Sequence, residues 1–250
     1  MAVNRKKIKY VPGTYAKKRP DAAQMADQYI REWETRRRKM KEKESAAVDM
    51  PPAICISRKI GVGALEIADI LAEKINFRVV DREIINRMAQ DAKLTESTVT
   101  FFDERYPGKM VEFSSMLFGE KSFIMSDYTR NLISAVFALA DLGTTIFVGR
   151  GTHLILPRDR VLAVRFICSN DQRRRRLADI LKIEENEAKS LLGRFDKEQR
   201  DFFKKAFGKK DASPYEFDLV INCDYITEPQ GAAEIVARAY AEKFKFLIVT

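Results

Sequence analysis

Apolar strands alternating with helices predict an α/β fold whose parallel sheet is covered by helices on both faces. Three observations carry this. Five short β-rich runs, at 53–57, 78–80, 145–149, 161–168 and 217–222, are largely apolar rather than alternating, as strands buried on both faces are. Helical patterns fill the intervals, at 63–75, 82–91, 122–141, 171–181, 184–207 and 229–246. The two kinds of segment alternate from Pro52 onward, the order of a sheet built by crossover connections. A 250-residue chain that is 46% hydrophobic has enough apolar material for such a core.

The chain begins differently. Residues 1–20 are polar and basic, with Pro12, Gly13 and Pro20, and read as a disordered arm. Asp21 is placed to cap a helix that runs to about Glu44, with Ala22, Met25, Tyr29 and Trp33 on one stripe. Its later part, Arg36-Arg37-Arg38-Lys39-Met40-Lys41, is charged on all sides, and Asp49-Met50-Pro51-Pro52 forms a linker. The formal net charge of +9 is concentrated here. Residues 1–50 hold 14 Lys and Arg against 7 Asp and Glu, whereas the other 200 hold 31 against 29. The expected division is therefore a basic arm and helix over 1–50 and one α/β domain over 51–250. The arm admits three readings: a helix packing its stripe on the domain or a protein partner, a polyanion-binding element, and, least favoured by its short stripe, a membrane-surface contact.

Other classes are excluded by composition. No apolar run approaches the roughly 20 residues of a membrane span. The N-terminus has no apolar core of a secretory signal. Cys55, Cys168 and Cys223 lack metal-ligand spacing and read as reduced thiols of a cytoplasmic protein. One histidine, His153, excludes multi-histidine metal sites.

The most telling segment is Ala-Ile-Cys-Ile-Ser-Arg-Lys-Ile-Gly-Val-Gly-Ala-Leu-Glu, residues 53–66. Strand, glycine turn and helix in that order aim backbone N–H groups and a helix N-terminus at one anion. A standard phosphate loop ends in Gly-Lys-Ser/Thr. This one ends in Gly63-Ala64-Leu65-Glu66, without the lysine. A tight strand-to-helix turn explains the two glycines equally well.

Ligands of such sheets sit beyond the carboxyl ends of the strands. There the chain carries Asp81-Arg82 after the second strand and Gly149-Arg150-Gly151 after the third. Arginine suits phosphate because its planar fork binds two oxygens. The structural alternatives are an N-cap for Asp81 and an ion pair for Arg150. After the fourth strand come Asn170-Asp171-Gln172 and four consecutive arginines, 173–176, of which one or two can face a site. Arg194, Lys197 and Arg200 sit on neighbouring helical turns, either as a mobile lid or as a charged outer face.

Taken in order, these stretches resemble the cytidylate kinase-like family of P-loop nucleoside monophosphate kinases, over about residues 52–246. The resemblance implies a three-layer P-loop kinase fold with a five-stranded parallel sheet. It also implies phosphoryl transfer from ATP, with Mg²⁺, to a nucleoside monophosphate such as CMP. It places Gly61 and Gly63 in the phosphate loop, Asp81 at the monophosphate nucleoside and Arg150 near the acceptor phosphate. Arg173 and Arg176 fall in the region covering the donor, Arg194, Asp196 and Arg200 in the lid, and Asn222 near the donor base. The departures concern charge. Family members carry Gly-Lys-Gly-Thr or Gly-Ser-Gly-Gly-Arg-Glu in the loop, and this chain has neither basic residue. Loss of such a group typically costs about 10²–10⁴ in rate. Arg58 and Lys59 in the same loop, and Arg194 and Arg200 in the lid, are the candidate replacements, and Glu66 is the candidate Mg²⁺ ligand. Two readings follow: an active phosphotransferase, and a catalytically impaired relative serving as nucleotide sensor or scaffold.

Overall fold

β1 (Ala53–Arg58) is buried along all but its last residue, because it is the central strand and is covered on both faces. In the computed structural model, residues 10–42, 50–91, 94, 96–98, 101, 127–209 and 212–245 are described. β1 pairs in parallel with β3 (Thr145–Val148) and with β4 (Val161–Ile167). β2 (Arg78–Asp81) and β5 (Leu219–Asn222) complete the sheet in the order β2-β3-β1-β4-β5, with every pairing parallel. Register aligns the functional ends: Asp81 lies beside Val148, and Ile56 beside Val148 on the other side.

Period-two alternation sends β1 side chains to two cores. Ile54 and Ile56 join α2 (Ala64–Ile75) and α8 (Pro229–Phe244) on one face. Ala53 and Cys55 face the other core, built with α1 (Ala22–Glu42), α3 (Arg82–Met88) and α4 (Asp127–Asp141). Burial there pushes the Cys55 thiol up to about 12, so it stays protonated and inert. A third cluster joins α6 (Asn170–Leu181) to α7 (Glu185–Phe207) through Leu177, Ala188, Leu192 and Phe195, with Tyr10 and Ile60 added from elsewhere. A four-residue helix, α5 (Thr152–Ile155), follows β3 and is too short to leave a periodic signal.

α1 begins as its sequence predicts: Asp21 Oδ1 accepts from the N–H groups of Ala23 (2.9 Å) and Gln24 (3.1 Å). Its stripe packs on the chain's own domain, with Trp33 fully buried and Tyr29 nearly so. Its basic residues are also engaged. Arg36 pairs with Asp141 at 3.3 Å, and Arg37 lies over the Trp33 ring.

Two expectations are corrected. Residues 10–20, read as part of a disordered arm, lie against α2, with Tyr10 and Pro12 buried. Proline and glycine there shape a turn, in which Thr14 N–H donates to the Val11 carbonyl at 3.1 Å. The third helix stops at Met88 rather than 91 and closes with turns. Helix 122–141 is described from Asp127, and most of 94–123 lies outside the described residues. No helix among the described residues is long and apolar enough to cross a membrane.

Candidate functional site

The glycine turn between β1 and α2 has the backbone its sequence requires. Gly61 and Gly63 adopt φ values of +90° and +88°, a region open to glycine but strained for other residues. Gly63 also occupies the cap position of α2, and no side chain caps that helix. The first N–H groups of α2 therefore face the loop mouth with the positive end of the helix dipole. Ala64 and Leu65, where a basic residue was looked for, are instead buried in the core beside the sheet.

Arginines gather at the ends of β1, β2 and β3. Arg58 ends β1 and lays its guanidinium over Gly149, so closely that a Cβ there would come within 2.7 Å of Nη1. Burial, helped by the charges of Arg82 and Arg150, lowers its pKa to about 10. It remains a cation at neutral pH, held under repulsion. Arg150 is likewise pulled below the ordinary range by burial, with Arg82 adding to the effect and Tyr128 opposing it. Arg150 sits at φ +56°, a left-handed conformation that costs about 1–2 kcal/mol in a residue with a Cβ. Its guanidinium lies 4.4 Å from the Phe202 ring centroid. The buried Nε atoms of Arg82 and Arg150 have no hydrogen-bond partner. Asp81, the neighbouring acid, leaves them largely uncompensated. Its Oδ1 caps α3 by accepting from Glu83 N–H (2.9 Å) and Ile84 N–H (3.1 Å), and its Oδ2 lies 3.6 Å from Arg19 Nε. The capping alternative for Asp81 is thus realised, and an Asp81–Arg150 pair is not among the ion pairs formed.

A second set of arginines is paired. Arg173 is 1% exposed, and its guanidinium donates to the Ile60 carbonyl (2.7 Å), Asn170 Oδ1 (2.9 Å) and Asp196 Oδ1 (2.5 Å). Arg173 and Asp196, two of the expected nucleotide-binding residues, therefore bind each other and lock the glycine turn to α6 and α7. Arg176 lies over Gly63 and pairs with Glu66, the candidate metal ligand. Among the described residues, no group of three or more His, Cys, Asp or Glu side chains is arranged to hold a metal ion.

The remaining expected residues are dispersed. Lys59 is exposed and borders both the loop mouth and a cavity of about 200 Å³ beneath α7, which Ser57, Arg165, Gln199 and Arg200 also line. Gln199 Nε2 donates to the Arg58 carbonyl at 2.8 Å, tying α7 to the end of β1. Arg194 is on the solvent side of α7, stacked on Phe195 and 3.9 Å from Glu198. Asn222 shapes the turn after β5, where its Oδ1 accepts from Asp224 N–H at 3.0 Å.

Sequence reading missed Arg82, although it directly follows a singled-out aspartate. It also missed Tyr10, Tyr15, Arg19 and Asp69. Asp69, on α2, is 7% exposed and accepts from Tyr15 (2.5 Å) and from Arg19. A buried acid inside an apolar helical pattern was the available signal.

Comparison with known proteins bears on this arrangement. No curated protein matches the chain. Among solved structures, an uncharacterized protein from Eubacterium ventriosum ATCC 27560 aligns with a TM-score of 0.58 and 17% identity, covering 76% of this chain and 98% of that one, and shares its fold. Shikimate kinase from Bacteroides thetaiotaomicron aligns at a TM-score of 0.38 and 13% identity over 78% of this chain and 98% of that one, too loosely to bear on function. The profile of the cytidylate kinase-like family matches residues 53–225, which span β1 to β5, the glycine turn and both arginine sets, and the chain belongs to that family.

Proposed function

We propose that this protein binds a nucleotide at the ends of β1, β2 and β3 and transfers a phosphoryl group from ATP to a nucleoside monophosphate such as CMP. The observation that carries this is the Arg58, Arg82 and Arg150 cluster beside the glycine turn. The three guanidinium groups are half-buried and repel one another, and the buried Nε atoms of Arg82 and Arg150 have no partner, a cost that a phosphate would offset.

Phosphoryl transfer asks a protein mainly for positioning and charge stabilisation. An oxygen of the acceptor phosphate attacks the γ-phosphorus, the bond from that phosphorus to the bridging oxygen breaks, and ADP leaves. The turn at Gly61–Gly63 and the α2 N-terminus would hold donor phosphates. Arg58, spanning from β1 to Gly149, would supply the charge that the missing lysine does not. Arg82 and Arg150 would hold the acceptor phosphate. Mg²⁺ would enter on the nucleotide phosphates, since Glu66 is engaged by Arg176 and, among the described residues, no other acid completes a site with it.

A second reading, a kinase relative that binds nucleotide without turnover, has its own support. Ala64 and Leu65 are buried where a basic residue would face phosphate, and Glu66 adds negative charge beside it. Titration calorimetry with ATP and then CMP, each with Mg²⁺, followed by product analysis of the same samples, separates the two. Binding of both with ADP and CDP formed supports phosphoryl transfer. Binding without product supports the second reading, and no binding of either overturns both.

A further inference from the structure

We infer that residues Tyr10–Arg19 form an autoinhibitory strap that closes the phosphate loop and must move aside before a phosphate chain can enter. The inference rests on the proposed nucleotide reading only for the identity of the ligand that displaces it.

The strap is fixed at both ends. Tyr10 is 9% exposed and packs edge-on against Phe195, with ring centroids 5.6 Å apart, in the cluster that includes Ile60 and Leu192. Its hydroxyl accepts from the Gly13 N–H at 3.1 Å and lies in the field of Arg58, Arg82 and Arg176. An anion on the glycine turn would sit in that same field. At the other end, Tyr15 donates to Asp69, and Arg19 pairs with both Asp69 and Asp81. Lys17 adds an exposed pair with Glu73 at 2.8 Å. Between these anchors Pro12 is buried, and Gly13 packs on Leu65 at ordinary contact distance, a Cβ there lying 3.6 Å from Leu65 Cδ2.

The space left between strap and glycine turn is about 30 Å³. That is room for a water or two, against the roughly 300–1,000 Å³ of a small-molecule site. A triphosphate therefore cannot reach the turn with Tyr10, Pro12 and Gly13 in place. The anchors are aromatic packing at Tyr10 and ionic and polar contacts at Tyr15, Lys17 and Arg19, none of them part of the sheet's hydrogen bonding, so release needs no rearrangement of the sheet. A ligand that must first release the strap binds more weakly by the fraction of molecules already open.

The test compares the full-length protein with the strap variants Tyr10→Ala and Tyr15→Phe/Arg19→Gln. Inorganic triphosphate and ATP are the calorimetric probes, and trypsin cleavage after Lys17 and Lys18 reports strap release. The variants are expected to bind triphosphate at least tenfold more tightly, and triphosphate is expected to speed cleavage of the unmodified strap. Equal or weaker binding by the variants, or protection of the strap by triphosphate, overturns the inference and makes the strap inert or part of the binding site. Absence of triphosphate binding in every form overturns the strap and the nucleotide reading together. Tighter triphosphate binding by the variants, with no binding of ATP or CMP in any form, leaves the strap standing and overturns the nucleotide reading alone.

Discussion

The two arginine sets border the same glycine turn and differ in what neutralises them. Arg173 and Arg176 have carboxylate partners in Asp196 and Glu66. Arg58, Arg82 and Arg150 face one another, with buried nitrogens on Arg82 and Arg150 lacking a partner. The first set holds the loop in shape. The second holds charge in reserve for something the chain does not itself provide. Substitution in the two sets should therefore move different observables.

The largest effect is expected at Arg173. Replacing it with Leu strands Asp196 and removes the clamp on the Ile60 carbonyl. Breaking a buried pair by removing one member costs about 3–5 kcal/mol. In a chain of this size that lowers the melting temperature by about 10 °C, readable by calorimetry or circular dichroism. A melting temperature unchanged within 2–3 °C, on the same size scaling, would erase the distinction between the sets.

Arg58→Gln and Arg150→Gln should do the reverse. Each removes one of three mutually repelling charges, so thermal stability should hold or rise. Affinity for ATP or for the monophosphate should fall about 10²-fold, the worth of a charge-assisted contact to phosphate. A variant that melts early and binds normally would mark its arginine as structural after all.

Glu66→Gln tests the boundary between the sets. Glu66 and Arg176 are each about 30% exposed in their side chains, so the pair stabilises the fold by less than about 1 kcal/mol. Its removal frees Arg176 and deletes a negative charge at the loop mouth. Affinity for inorganic triphosphate should rise about tenfold, corresponding to roughly 1.4 kcal/mol. A loss of affinity instead would give Glu66 a positive role at the site.

How much of this was legible in the sequence follows the same line. The strands and most helices were readable because apolar runs buried on two faces and three- to four-residue periodicities are local signals. The glycine turn, Asp81 and Arg150 were singled out because fold topology gathers strand ends together, and the structure makes Asp81 a cap of α3. Which arginines are paired was not readable. Arg173 and Arg176 are one helical turn apart in a run of four, and their partners lie 23 and 110 residues away. Residues 10–20 misled for a related reason. Their composition is that of a disordered segment, and what orders them is a buried aspartate on α2, some 50 residues on.

His153 shows a third way to bury a basic side chain, with the smallest expected effect. It is 3% exposed, stacks near Phe217 at 4.8 Å between centroids, and its Nε2 lies 3.5 Å from Glu216 Oε2. Burial pulls its pKa below the ordinary 6.5, against the attraction of Glu216. Unlike the arginines, it can give up its charge, and near neutral pH it does. Above pH 6.5 the ring is neutral in both folded and unfolded chains, and its contribution to stability is fully present. As pH falls below 6.5 the unfolded chain takes up the proton first, so this contribution is lost as pH drops toward and through the lower folded pKa. As the chain's single histidine, it gives one resolved imidazole titration by NMR, with a midpoint expected below 6.5. A midpoint above 6.5 would mean that Glu216 outweighs burial and that His153 belongs with the paired cations.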